Sequence, residues 1–143
     1  MQKNVRIKNI LVPLDGSKNS VRGLTHAIDL AKQNNATILG IHVMPTFFLH
    51  STWRPSNLKE EMLKIAKRIM KSARKHTEKE DIIFKEKILC GFPGSDIVKF
   101  ANNKRNNVGT IVIGAKSKGV SNFVFGSVSN YVLNKTKVPV LVV

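Results

Sequence analysis

Short apolar runs and segments of helical period alternate along the whole chain, and nothing else in the sequence constrains the fold as strongly. Lys8 to Leu14 (KNILVPL) is a brief apolar run ending at Pro13, the pattern of a buried strand. Asp15, Gly16 and Ser17 follow with turn and N-cap chemistry. Val21, Leu24, Ala27, Ile28 and Ala31 then recur at helical spacing and predict a helix from Ser17 to Asn34. Thr37 to Val43 reads as a second strand. Pro45 to Ser56 fits neither period, carries prolines, and reads as a loop. Leu58, Met62, Ile65, Ala66, Ile69 and Ala73 mark one face of a long helix over Asn57–Lys79. Asp81 to Leu89 is a third strand, and its charges Lys85, Glu86 and Lys87 suit a sheet edge. After a turn over Gly91–Gly94, Ile97, Val98 and Ala101 begin a third helix. It runs to Lys104 and is broken by Asn106, Asn107 and Gly109. Thr110–Ile113 is a fourth strand, Gly114–Gly126 a glycine-containing loop, Ser127–Lys135 a last helix, and Val138–Val143 a fifth strand.

Apolar strands separated by helices predict a parallel sheet covered on both faces. With right-handed crossovers this is a doubly wound α/β domain, five-stranded and spanning residues 1–143. Ligands in such sheets sit beyond the strand carboxyl ends, where the strand order reverses. At 143 residues the chain can bury a core unaided by disulfides, and its single cysteine forms no intrachain disulfide. The first residues do not form a signal peptide, and no apolar run is long enough to span a bilayer. The expectation is a cytoplasmic protein with no membrane partner.

The charge is strongly one-sided: 24 Lys and Arg against nine Asp and Glu give +15. Such a field attracts anions in general. The densest run, Lys64 to Lys79, interleaves its cations with apolar residues at helical spacing, which describes a solvated helix face. The aromatics do not alternate with this run, so specific nucleic-acid binding is not expected.

Two loops carry the chemistry. One is Pro13-Leu14-Asp15-Gly16-Ser17 after the first strand; the other is Gly114 to Ser127, leading into the last helix. At that helix start, Gly126, Ser127 and Val128 offer free backbone N–H groups and the positive end of a helix dipole. Glycine leaves room for a phosphate, Ser127 adds a hydroxyl, and Lys116 and Lys118 add charge. The loop is not a Walker A motif, and chemistry alone leaves open whether it cradles a phosphate or simply turns the chain. Asp15 before Gly-Ser is equally a turn and cap residue or a ligand for a ribose hydroxyl or a hydrated Mg²⁺.

The strand-one ending ILVPLDGS, the segment GIHVMP and the C-terminal stretch IVIGAKSKGVSNFVFGSVSNYVLNKTKVPVLVV resemble the nucleotide-binding branch of the universal stress protein family over the whole chain. The resemblance implies the adenine nucleotide alpha hydrolase-like fold with strand order 3-2-1-4-5. It also implies ATP as ligand, with Mg²⁺ as a companion, and a homodimer through Val138–Val143. It places Asp15, with Pro13 beside it, at the nucleotide and the Val43 backbone at the adenine. Ile113 and Gly114 match the hydrophobic-glycine pair closing the fourth strand, and Gly126, Ser127 and Val128 match the phosphate-gripping end. The middle departs from the pattern. The second glycine of the family motif falls at Ser117, the next glycine is Gly119, and the interval from Gly114 to Gly126 is one residue short. Lys116 stands where many relatives carry a basic residue.

The implied role is that of a stress-response sensor or regulator acting through its dimer. Slow ATP hydrolysis and nonspecific nucleic-acid binding are the alternatives. No paired carboxylates or Ser-His-Asp arrangement can be read from spacing, so at most weak hydrolysis is expected. His26, His42, His50 and His76 show no metal-ligand spacing; His42 reads first as a packed strand residue and second as a residue near the pocket. Cys90 reads as a buried small hydrophobe, and Phe47, Phe48 and Trp53 as a hydrophobic plug against the long helix.

Overall fold

The computed structural model describes residues 6–50, 52, 55–118, 122–124 and 126–143. Strand β1 (Asn9–Pro13) leads into helix α1 (Lys18–Asn34), strand β2 (Thr37–Pro45), a 3₁₀ turn over Thr46–His50, and helix α2 (Leu58–Glu78). Strand β3 (Phe84–Gly91), helix α3 (Pro93–Asn102), a 3₁₀ turn over Lys104–Asn106 and strand β4 (Val108–Ile113) follow. The chain continues through strands β5 (Lys116–Lys118) and β6 (Asn122–Val124), helix α4 (Ser127–Lys135) and strand β7 (Val140–Val142).

The main sheet is parallel, ordered β3-β2-β1-β4-β7, which is the expected 3-2-1-4-5 arrangement with β7 as its fifth strand. Register is tight: Leu11 lies opposite Leu39 on one side and Ile111 on the other, and Ile113 lies opposite Val142. Strand period explains the two cores. Ile10 and Val12 point into a cluster with Leu24, Ile28 and Met70 of α1 and α2. Leu11, between them, points the other way, into a cluster with Ile97, Val98 and Val132 of α3 and α4. Fully burying each such aliphatic chain stabilises the fold by about 1.5–3 kcal/mol.

Local chemistry sets the helix ends. Ser17 caps α1, its hydroxyl accepting from the Ser20 N–H at 3.1 Å, and Asn35 closes the helix in the left-handed region at φ 52°. Pro93 opens α3, and the Asp96 carboxylate accepts from the Phe92 N–H at 2.8 Å.

Several expectations shift. The loop over Pro45–Ser56 includes the Thr46–His50 turn, and β2 runs two residues further than Val43. The third strand begins at Phe84, because Asp81 takes a positive φ of 55° and the N–H groups of Asp81 and Ile82 bond back to the end of α2. The third helix stops at Asn102 and a 3₁₀ turn follows, with the Asn103 side chain accepting from the Arg105 N–H. The glycine loop contains the antiparallel pair β5–β6. Cys90 is exposed, since β3 is an edge strand and its outer residues lack a covering layer. Phe47 is 61% exposed and therefore is not a plug. The Phe48 side chain and Trp53 lie outside the described residues.

Candidate functional site

The chain order reverses between β1 and β4, and a cavity of about 250 Å³ opens at the carboxyl ends of the strands there. β1 and the turn after it contribute Pro13, Leu14, Asp15 and Ser17. β2 contributes Ile41, His42, Val43 and Pro45, and the end of β4 contributes Ile113 and Gly114. Helices close it: Ser20 from α1, Pro93 and Ile97 from α3, Val128, Ser129 and Val132 from α4. The result is a largely apolar slot with a few polar groups, Asp15, Ser17, Ser20, His42 and Ser129, in its lining, which suits a flat heterocycle carrying a polar substituent.

The β1–α1 turn is built by its own sequence. Gly16 holds φ at 83°, a conformation that costs glycine little. This bends the chain so that Asp15 Oδ1 accepts from the Ser17 N–H at 2.9 Å. Partial burial raises the Asp15 pKa, but hydrogen bonds from Ser17 and Ser20 outweigh it and hold the carboxyl below its ordinary 3.8. Asp15 is thus both the turn residue and an anionic group at the rim of the cavity.

Gly114 has a packing reason for being glycine. A Cβ there would lie 1.7 Å from the Asn19 carbonyl oxygen, so α1 could not sit so close to the end of β4. Gly23 of α1 meets the same spot, its own Cβ position 3.0 Å from the Gly114 nitrogen. The next residue anchors the loop. The Ala115 N–H donates to the Val143 carbonyl at 2.8 Å, and the Arg22 guanidinium from α1 donates to the carbonyls of both Ala115 and Val143. The root of the loop is therefore tied to the end of the sheet.

Gly126 is different. Among the described residues a Cβ added there meets nothing within 4 Å, so none of them demands a glycine at this position. It is the N-cap of α4, and among the described residues no side chain caps that helix. The first amides of α4 have no intrahelical acceptor, and the helix dipole favours an anion in front of them. Val128 and Ser129, in the same first turn, line the cavity.

The structure thus gathers Pro13, Asp15, Val43, Ile113, Gly114 and Val128 around one cavity, with Gly126 and Ser127 immediately beside it in the chain. Lys116 lies in β5, and Gly119 lies outside the described residues. Sequence reasoning missed Ile97, Val132, Ser129 and Pro93. Ile97 was legible only as a core position of a helix, and Val132 carried no signal beyond its place in one. His42 also lines the cavity, so packing alone does not describe it. Its Nδ1 is 2.7 Å from the Leu14 carbonyl. A carbonyl only accepts, so Nδ1 is the protonated nitrogen of that contact.

A family model described as the universal stress protein family matches residues 6–143. Universal stress protein MJ0531 of Methanocaldococcus jannaschii is 31% identical over 140 residues, covering 95% of this chain and 81% of that protein. Among solved structures, that of hypothetical protein MJ0577 superposes with a TM-score of 0.81 at 28% identity, covering 97% of this chain and 96% of that one. The universal stress protein of Archaeoglobus fulgidus in complex with dAMP gives a TM-score of 0.74 at 26% identity, covering 96% and 98%.

Proposed function

We propose, since the chain belongs to the universal stress protein family, that it is a single-domain, cytoplasmic ATP-binding protein that works as a sensor or regulator through a homodimer. The observation that carries this reading is the pairing of an apolar cavity at the topological switch point with an uncapped helix start behind an unobstructed glycine. The adenine fits between Val43, Ile41 and the apolar residues of α3 and α4. The ribose lies toward Asp15, and the phosphates reach the α4 amides at Gly126, Ser127 and Val128, with Lys116 and Gly119 in the chain segment that precedes them. The dAMP complex of the Archaeoglobus fulgidus relative supports an adenine nucleotide as the ligand class. Among the described residues no three His, Cys, Asp or Glu side chains gather to hold a metal, so in this reading Mg²⁺ arrives with the triphosphate.

The dimer uses β7. It is an edge strand, and Leu141 at its centre is 41% exposed. A two-fold partner would bury this surface and satisfy the strand edge. Coupling between nucleotide and dimer has a physical route. Gly114 lines the cavity, and Ala115 beside it is hydrogen-bonded to Val143, next to β7, and to Arg22. Regulation then requires only that ATP bind two arrangements of that edge unequally.

Isothermal titration calorimetry with ATP on protein stripped of carried-over ligand tests the site. Gly126→Asp puts a carboxylate where the phosphates belong, at a position whose Cβ meets no described residue within 4 Å. The variant should keep the wild-type unfolding midpoint and lose measurable ATP heat. Equal heats from the two proteins would discard the site.

A further inference from the structure

A second hollow, of about 260 Å³, lies between α1 and α2. Leu14 and Leu24 form its floor, both buried. Val21 on α1 and Ile69 on α2 form its walls, and Val21 is 47% exposed, so the apolar surface is open to an occupant. The rim is different in kind. Arg68, Ser72 and His76 line it at intervals of four residues, hence along one face of α2. No carboxylate lines the hollow.

The cations of α2 are not all in the same condition. Arg74 is engaged: it pairs with Glu86, donates to the Phe84 carbonyl, and lies over the Phe84 ring. Lys64 pairs with Glu61. The side chain of Arg68, like those of Lys59, Lys67, Lys71 and Lys75, makes no hydrogen bond or ion pair among the described residues, and of these cations Arg68 is the one that lines the hollow. A guanidinium is charged at every working pH and offers a planar fork that matches a carboxylate. An unpartnered fork above an apolar trough has the complement of an amphipathic anion.

We infer that this trough between α1 and α2 binds a small amphipathic monoanion of the medium-chain carboxylate class. The carboxylate head sits on Arg68 and Ser72, and the alkyl chain lies between Val21, Ile69 and Leu24. Leu14 and Ser20 line both hollows, but the inference does not rest on the nucleotide reading: it is carried by Arg68, Ser72, Val21 and Ile69, none of which lines the first cavity.

Methyl NMR titration with octanoate tests it, with octylammonium as the probe of opposite charge. Octanoate should give saturable shifts at the Val21 and Ile69 methyls, and octylammonium should give none. Arg68→Gln should weaken octanoate by about tenfold, since a charge-assisted contact is lost. Val21→Asp, at an exposed position, should abolish saturation by placing a like charge at the mouth. The inference fails if octanoate does not saturate at these methyls, if octylammonium binds comparably, or if both variants bind octanoate as wild type does.

Discussion

Replacing Gly114 with alanine separates the two glycines of the site. The new Cβ would stand 1.7 Å from the Asn19 carbonyl oxygen and 2.4 Å from its carbon, both backbone atoms. No rotamer change relieves a backbone clash, so the first turn of α1 must retreat by more than an ångström. That turn is pinned by the Ser17 cap, and one turn on Gly23 faces the same point, where an added Cβ would lie 3.0 Å from the Gly114 nitrogen. It also carries Ser20, which is 7% exposed. Overpacking of this kind costs about 1–3 kcal/mol, and the rigidity of both partners puts the expected loss near ~3 kcal/mol. In urea, with a slope of about 1.5–2 kcal/mol/M for a domain of this size, the midpoint should fall by roughly 1.5–2 M. Gly126→Ala is the control, because its Cβ meets nothing and its φ of −63° suits any residue. Its stability should fall by no more than about 1 kcal/mol, the cost of alanine at an N-cap. A Gly114→Ala protein as stable as wild type would refute the view that this glycine exists to let α1 approach β4.

Asp15 predicts a pH effect. Its folded pKa lies below the ordinary 3.8. Its contribution to stability is therefore complete above that value and is lost as the pH falls through the lower folded one. Asp15→Asn should remove part of the acid loss of stability that sets in as the pH falls below about 3.8, read from urea midpoints; parallel curves for the two proteins would contradict the assignment. Leu141→Arg places a charge on the exposed edge strand, and sedimentation velocity should show a dimeric wild type and a monomeric variant. A wild-type monomer, or a variant that still dimerises, would exclude β7 as the interface.

Most of the framework was legible in the sequence because its signals are local. The run around Ile10–Val12 and the helical spacing of Leu24, Ala27, Ile28 and Ala31 name their elements without reference to anything distant. Turn residues at Asp15–Ser17 and a glycine before α4 marked the two loops for the same reason. Elements whose limits depend on partners were read less well. The start of β3 moved to Phe84, where pairing with Ile38 begins, and the end of α3 was set by the Asn103 side chain.

The sequence by itself determined an alternating α/β chain, its order of strands and helices, and the two loops that could meet. Only the tertiary structure decided that Ile97, Ser129 and Val132 wall the cavity, that Gly114 serves helix packing while Gly126 faces open space, and that Arg68 stands unpartnered over a trough. The reason is range: hydrophobic period acts over a few residues, whereas contact, clash and pairing arise between residues that only the folded chain brings together.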